Sequence, residues 1–217
     1  QPSRRVISPR LDISEKRVSE LLKPYNSYPQ TVWNKAYNGD MARKAFAEME
    51  SFYATMAEDA YHSVVLAWYA KQIEAVDLPL YNYSTSSGVS SSQKRNLIQI
   101  KKILDSIREV TAHTYSFFEK HDESLLTECR GLEIHLADSV INGYILSDTR
   151  DEDIDEALLL VPNYFRHGVL TPFVRELRTK AAKFDTTKHN TAVARKNHFM
   201  ARFQRAFYRR FNPSKLT

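Results

Sequence analysis

The chain reads as all-α: a helical bundle with two long helices, three or four shorter ones and an extended basic arm at its N terminus. Three observations predict this class. Only five glycines occur in 217 residues, while Ala, Leu, Glu, Lys and Arg, all good helix formers, are plentiful. Apolar residues recur at spacings of three and four over long windows, the period of a helix with one buried face. A hydrophobic content of 42% and a charged content of 26% are ordinary for a globular chain long enough to build its own core. No window approaches the roughly eighteen apolar residues of a membrane span; the densest, Val64 to Ala70, belongs to an amphipathic pattern.

The elements follow in order. Residues 1–11 form a basic arm, with Arg4, Arg5 and Arg10, two prolines and no acid before Asp12, a composition that suits an extended segment. Because the chain opens on Gln1 and not on Met, it is expected to have lost whatever came before. Asp12 and Glu15 have the spacing of a capping box, which predicts a short helix through Leu22 with Val18, Leu21 and Leu22 inward, stopped at Pro24. A second short helix is expected from Pro29 to Tyr37, ended by Asn38-Gly39. Asp40 is expected to cap the longest periodic stretch, in which Phe46, Met49, Tyr53, Met56, Ala60, Val64 and Ala67 form one stripe running on to about Val76. These elements make an N-terminal helical half, 12–80. Residues 81–92 contain a Ser-rich run, expected as a mobile loop or hinge.

The C-terminal half, 93–171, repeats the pattern. Gln93 to Lys120 offers Leu97, Ile100, Leu104, Ile107, Val110, Ala112 and Phe117 or Phe118 as a core face. Ser124 to Leu146 offers Leu125, Leu132, Leu136, Val140 and Tyr144, with Gly131 and Gly143 as weak points. The acids of 151–156 suit the first turn of a further helix carrying Leu158 to Val161, bent or ended at Pro162. Residues 172–217 are a basic helical tail.

Charge is segregated along the chain. From Pro172 to Thr217 there are twelve Lys/Arg against Glu176 and Asp185, a local +10 in a chain of +5. From Glu119 to Glu156, twelve acids face Lys120, Arg130 and Arg150, a local −9. If 195–211 is helical, Arg195, His198, Arg202, Arg205 and Arg209 fall within about eighty degrees. Phe199, Phe203, Phe207 and Phe211 take another face, with Lys196 and Arg210 among the rings. A guanidinium presents a planar fork that matches two phosphate oxygens. The candidate contacts to a nucleic-acid backbone are therefore Arg195, Lys196, Arg202, Arg205, Arg209 and Arg210, with Arg4 and Arg5 of the arm. RNA is favoured over DNA as the partner, without a base-reading code. The acidic 119–156 and basic 172–217 segments could pair between copies, giving a homo-oligomer such as a nucleocapsid or coat. The competing reading is a scaffold subunit whose basic tail docks on an acidic protein surface.

Catalytic signals are few. There is no P-loop, no glycine-rich dinucleotide fingerprint and no nucleophile elbow, and the lone Cys129 lacks a second cysteine for a disulfide or a structural zinc site. A reducing compartment or a virion interior suits it. Glu58/His62 and Glu109/His113 are i, i+4 pairs that read as surface contacts, not metal ligands, so no metal, cofactor or catalytic residue is assigned. Asp12 to Tyr37 has the outline of a helix-turn-helix with Thr31, Trp33, Asn34 and Lys35 on its second helix, but with a turn longer than usual. Arg130-Gly-Leu-Glu-Ile-His135 resembles the Arg-x4-His motif of HEPN-type ribonucleases, helical bundles that cut RNA at a dimer interface. That resemblance implies a paired role for Arg130 and His135; it covers six residues, and Gly131 stands where the family carries a polar residue.

Overall fold

A computed structural model describes residues 17–23, 30–32, 35–71 and 94–175. Among them the protein is all-α: α1 (Arg17–Leu22), α2 (Gly39–Glu48), α3 (Glu58–Tyr69), α4 (Leu97–His121), α5 (Leu126–Asp138), α6 (Leu146–Asp148) and α7 (Ile154–Leu160). A π-helical stretch, Ser139–Ile145, joins α5 to α6, and short 3₁₀ turns cover Glu123–Leu125 and Val161–Asn163. The extended pairing among the described residues is an isolated parallel bridge, Arg95 with Thr149. No described helix is long and apolar enough to cross a membrane.

The spine is α4. Asn96 accepts from the Gln99 N–H while Gln99 Oε1 accepts from the Asn96 N–H, a reciprocal cap that starts the helix sharply. Its apolar face, Ile100, Ile103, Leu104, Ile107, Val110, Phe117 and Phe118, is buried and packs against α3, α5 and α7. Ala112, expected on that face, is exposed, and Thr111 and Thr114 take the inward positions. Each threonine hydroxyl donates to a carbonyl one turn back, Arg108 and Val110 respectively, so neither buries an unsatisfied group. On α1, Val18, Leu21 and Leu22 are buried as their spacing predicts, and α1 packs on α3 and α5.

Three expectations differ from the fold. Residues 30–32 and 35–38 are not helical, which removes the second helix of the helix-turn-helix outline. They run as a strap whose polar groups find side-chain partners: Ser63 Oγ donates to the Gln30 carbonyl, Lys35 Nζ to the Thr31 carbonyl, and Gln30 Nε2 to the Leu21 carbonyl at 3.5 Å. The cap of α2 is Asn38, not Asp40; Asn38 Oδ1 accepts from the N–H groups of Asp40 and Met41, both at 3.1 Å. Finally, the stripe from Phe46 to Ala67 does not lie on one helix. The chain leaves helical geometry at Met49 and re-enters it only at Glu58, through Ala57 at φ 66°. Phe46 and Tyr53, expected inward, are 55% and 83% exposed.

The reason lies in what α4 and α3 offer the connection 49–57. Phe52 stacks on His113 at 4.3 Å and meets Tyr61 edge-on at 5.4 Å. The Thr55 N–H donates to Ser106 Oγ at 3.0 Å, and Met56 Sδ lies 3.4 Å from the Tyr144 hydroxyl. Lys120 bonds Glu48 at 2.8 Å. Together these contacts give 49–57 and the end of α2 tertiary partners in place of the next helical turns.

Ahead of α4, 94–96 is clasped to 148–151. The Arg95 N–H donates to the Asp148 carbonyl and the Arg150 N–H to the Arg95 carbonyl. Lys94 bonds Asp151 at 2.7 Å.

Candidate functional site

All eight residues predicted to touch a nucleic-acid backbone, Arg4, Arg5, Arg195, Lys196, Arg202, Arg205, Arg209 and Arg210, lie outside the described residues, as do residues 176–217 of the tail. The structure describes the acidic counterpart and the start of the basic segment.

The acidic block 119–156 is spread over four environments. Glu119 and Glu123 stand exposed at the end of α4 and the turn after it; Asp148, Asp151, Glu152 and Glu156 stand exposed around α6 and the start of α7. Two of these acids are already engaged within the chain. Asp148 bonds Arg95 at 2.9 Å, and Asp151 bonds Lys94. The Arg95 side chain is buried and lies over the Tyr144 ring at 4.8 Å, so this pair fixes the clasp as well as balancing charge. Asp122 caps the 3₁₀ turn through the Ser124 N–H. Part of the block is therefore structural, and the remaining exposed carboxylates lie in two groups, near the two ends of α4.

One acid is inside. Glu133, on α5, is 1% exposed. Its Oε1 accepts the Arg166 N–H at 2.8 Å and its Oε2 lies 3.4 Å from the Tyr115 hydroxyl. The Arg166 guanidinium covers the Tyr115 ring at 3.3 Å. Burial pushes the Glu133 carboxyl above its usual range, opposed by the Arg166 N–H and its nearby charge. The same burial, with Glu133 beside it, moves Tyr115 up to about 12. One turn before Glu133 on α5, Arg130 Nη2 donates to the His167 carbonyl at 3.4 Å. Gly168, at φ 84°, leaves room for it; a Cβ there would lie 2.0 Å from that nitrogen. Thus α5 grips the 166–168 turn with an acid and a base. Val169, Leu170 and Phe173 then enter the core, and 171–175 is helical. The base of the basic segment is fixed to the acidic half.

Glu133 was not singled out by sequence, although it occupies an inward position between Leu132 and Leu136. A charged residue in phase with an apolar stripe is the available signal, and its partner Arg166 is 33 residues away.

The Arg-x4-His pair does not converge within the chain. Five residues turn a helix by about 140°, and Arg130 is committed to the 166–168 turn. His135 is half-buried, its Nδ1 enclosed without a hydrogen-bond partner among the described residues, and burial lowers its pKa. Cys129 is buried, and desolvation followed by the Glu128 charge pushes its thiol up to about 12, the opposite of an activated nucleophile. Among the described residues no three His, Cys, Asp or Glu side chains converge as a metal site requires. His113 Nδ1 is 2.8 Å from the Glu109 carbonyl oxygen, not its carboxylate, and Nε2 faces Glu50 at 3.6 Å.

No family model matches the chain, and no curated protein or solved structure resembles it.

Proposed function

We propose that the protein binds the backbone of RNA or DNA without catalysis and does so as a subunit of a multi-copy assembly of the nucleocapsid or coat type. The observation that carries the reading is the segregation of charge. A +10 tail rich in arginine and phenylalanine follows a segment of net −9. Arg195, Arg202, Arg205 and Arg209 would hold phosphates, supported by Lys196, Arg210, Arg4 and Arg5. Phosphate contacts of this kind give affinity without sequence discrimination. Support also comes from the acidic surface of the described body. Its exposed carboxylates, near the two ends of α4, would repel a polyanion there and offer the tail of a neighbouring copy complementary charge.

The test is a salt titration of binding to a random single strand, using the intact chain and a variant with Arg195, Arg202, Arg205 and Arg209 all replaced by Gln. Four lost phosphate contacts should flatten the slope of log K against log salt by about 3 and weaken binding at least tenfold near 0.1 M salt. A smaller loss rejects nucleic acid as the partner and favours docking of the tail on an acidic protein surface. Size-exclusion chromatography with and without the strand tests assembly, which a monomer under both conditions would contradict.

A further inference from the structure

The stretch 39–69 satisfies two folds at once. Its apolar residues keep helical phase across the whole length, Phe46, Met49, Tyr53, Met56, Ala60, Val64 and Ala67, yet the chain bends back at 49–57 so that α2 packs on α3. The cost of bending is visible at three places. Ala57 is the one non-glycine residue among those described with positive φ, 66°, a region that L residues enter at a penalty. Phe46 and Tyr53 are left 55% and 83% exposed. Residues 49–57, with no Gly or Pro among them, forgo helical hydrogen bonds that their composition favours.

We propose that 49–57 is a domain-swapping joint: it straightens into helix, joining α2 and α3 into one continuous helix, and the segment ahead of it docks on a second copy of this chain. The occupant follows from the interface already present. The described residues N-terminal to the joint touch the rest of the body through contacts that a second copy can supply unchanged. Glu48 meets Lys120 at 2.8 Å and His121 at 3.7 Å. The Phe46 ring meets His62 edge-on at 6.2 Å, Lys44 lies 5.1 Å over the Tyr69 ring, Ser63 Oγ bonds the Gln30 carbonyl, and α1 packs on α3 and α5. A reciprocal exchange regenerates each of these between chains. It also removes the strained Ala57 conformation in both copies and places Met49, Tyr53 and Met56 where the two long helices cross. What holds the closed form is local to the joint: Thr55 on Ser106, Phe52 on His113, and Met56 against Tyr144.

Geometry separates the two forms. Residues 46 and 62 bring their rings to 6.2 Å in the closed chain, but sixteen helical residues would hold them about 24 Å apart in a continuous helix. The experiment uses the full chain carrying F46C/H62C, concentrated in mild urea, returned to buffer and fractionated by size. A short bis-maleimide then bridges 46 and 62; buried Cys129 does not compete. The expected result is a dimer fraction whose bridges run between chains and whose helical circular dichroism per residue exceeds the monomer's. Ala57→Gly, which relaxes the bend and weakens the straight helix, should lower the dimerisation constant by at least about tenfold, since each dimer contains two joints. Thr55→Ala, which keeps the N–H bond but removes the Oγ1 contact to Ser106 Oγ and favours helix, should raise it. Absence of a dimer, or a dimer whose 46–62 bridge stays within one chain, overturns the proposal. The second outcome identifies association through the charged segments instead, and because no nucleic acid is present, either failure leaves the backbone-binding reading to its own test.

Discussion

The helix α4 and the stretch 39–69 are similar in length and amphipathic character, yet one runs straight for 25 residues and the other folds in half. The difference is in what surrounds them. Along α4, neighbours α3, α5 and α7 pack on the apolar face, and the helix runs unbroken from Leu97 to His121. Along 39–69, Ser106, His113, Lys120 and Tyr144 present hydrogen bonds and ring faces to the middle of the stripe. Periodicity decides which side of a helix is buried; tertiary partners decide where the helix stops.

The largest effect expected from that comparison is on α4. Leu104 is fully buried, so Leu104→Ala should cost about 3–4 kcal/mol by the lost burial and the cavity left behind. Phe46→Ala, in the same kind of position on the other stripe, should stay within about 0.5 kcal/mol because the ring is mostly in solvent. Urea denaturation of the two variants checks this. Equal losses would mean that Phe46 is buried in solution and that 39–69 is not bent.

Next is the bond that holds the bend. Ser106→Ala removes the acceptor of the Thr55 N–H and the hydroxyl beside Thr55 Oγ1. The expected loss is about 1–2 kcal/mol, the cost of stranding a half-buried donor, although the substitution leaves the α4 backbone more helix-prone. A gain in stability would show that the bend is not held at this point. Smaller still, and opposite in sign, Ala57→Gly should stabilise the monomer by about 1 kcal/mol, because glycine enters the left-handed region without the side-chain penalty. A loss of stability there would place Ala57 outside that region.

These contrasts also explain what was legible in the residues. The inward faces of α1, α4, α5 and the π-helical stretch after it follow from spacing, and Val18, Leu21, Leu22, Ile100, Leu104, Leu132, Leu136 and Val140 are buried as the pattern requires. The bend at 49–57 was not legible, since Ser106 lies 51 residues from Thr55 and nothing local in 49–57 breaks a helix. Residues 30–32 and 35–38 were read as helix because the partner of the Gln30 carbonyl, Ser63, comes from α3, 33 residues away. Glu133 was missed for the related reason that a buried carboxylate declares itself only through partners distant in the chain. The arginines proposed as phosphate contacts rest on composition and helical phase alone.

The same two regions differ in how their carboxylates answer to pH. Glu133, on α5 and facing Tyr115 of α4, is raised by burial, so the fold favours its neutral form. Its contribution is therefore complete below the unfolded value, about 4.3, and is lost as pH rises through the higher folded value. Glu48, at the end of α2, is lowered by its hydrogen bond and charge pairing with Lys120, so its contribution is present above the unfolded value and lost as pH falls through the folded one. Stability measured by urea between about pH 3 and pH 7 should carry both slopes. Glu133→Gln, which keeps an acceptor for the Arg166 N–H, should remove the decline on the rising side while leaving the acid side alone; Glu48→Gln should do the reverse. If Glu133→Gln follows the wild-type curve across the whole range, the carboxylate is hydrated in solution and the 166–168 turn is held by Arg130 alone.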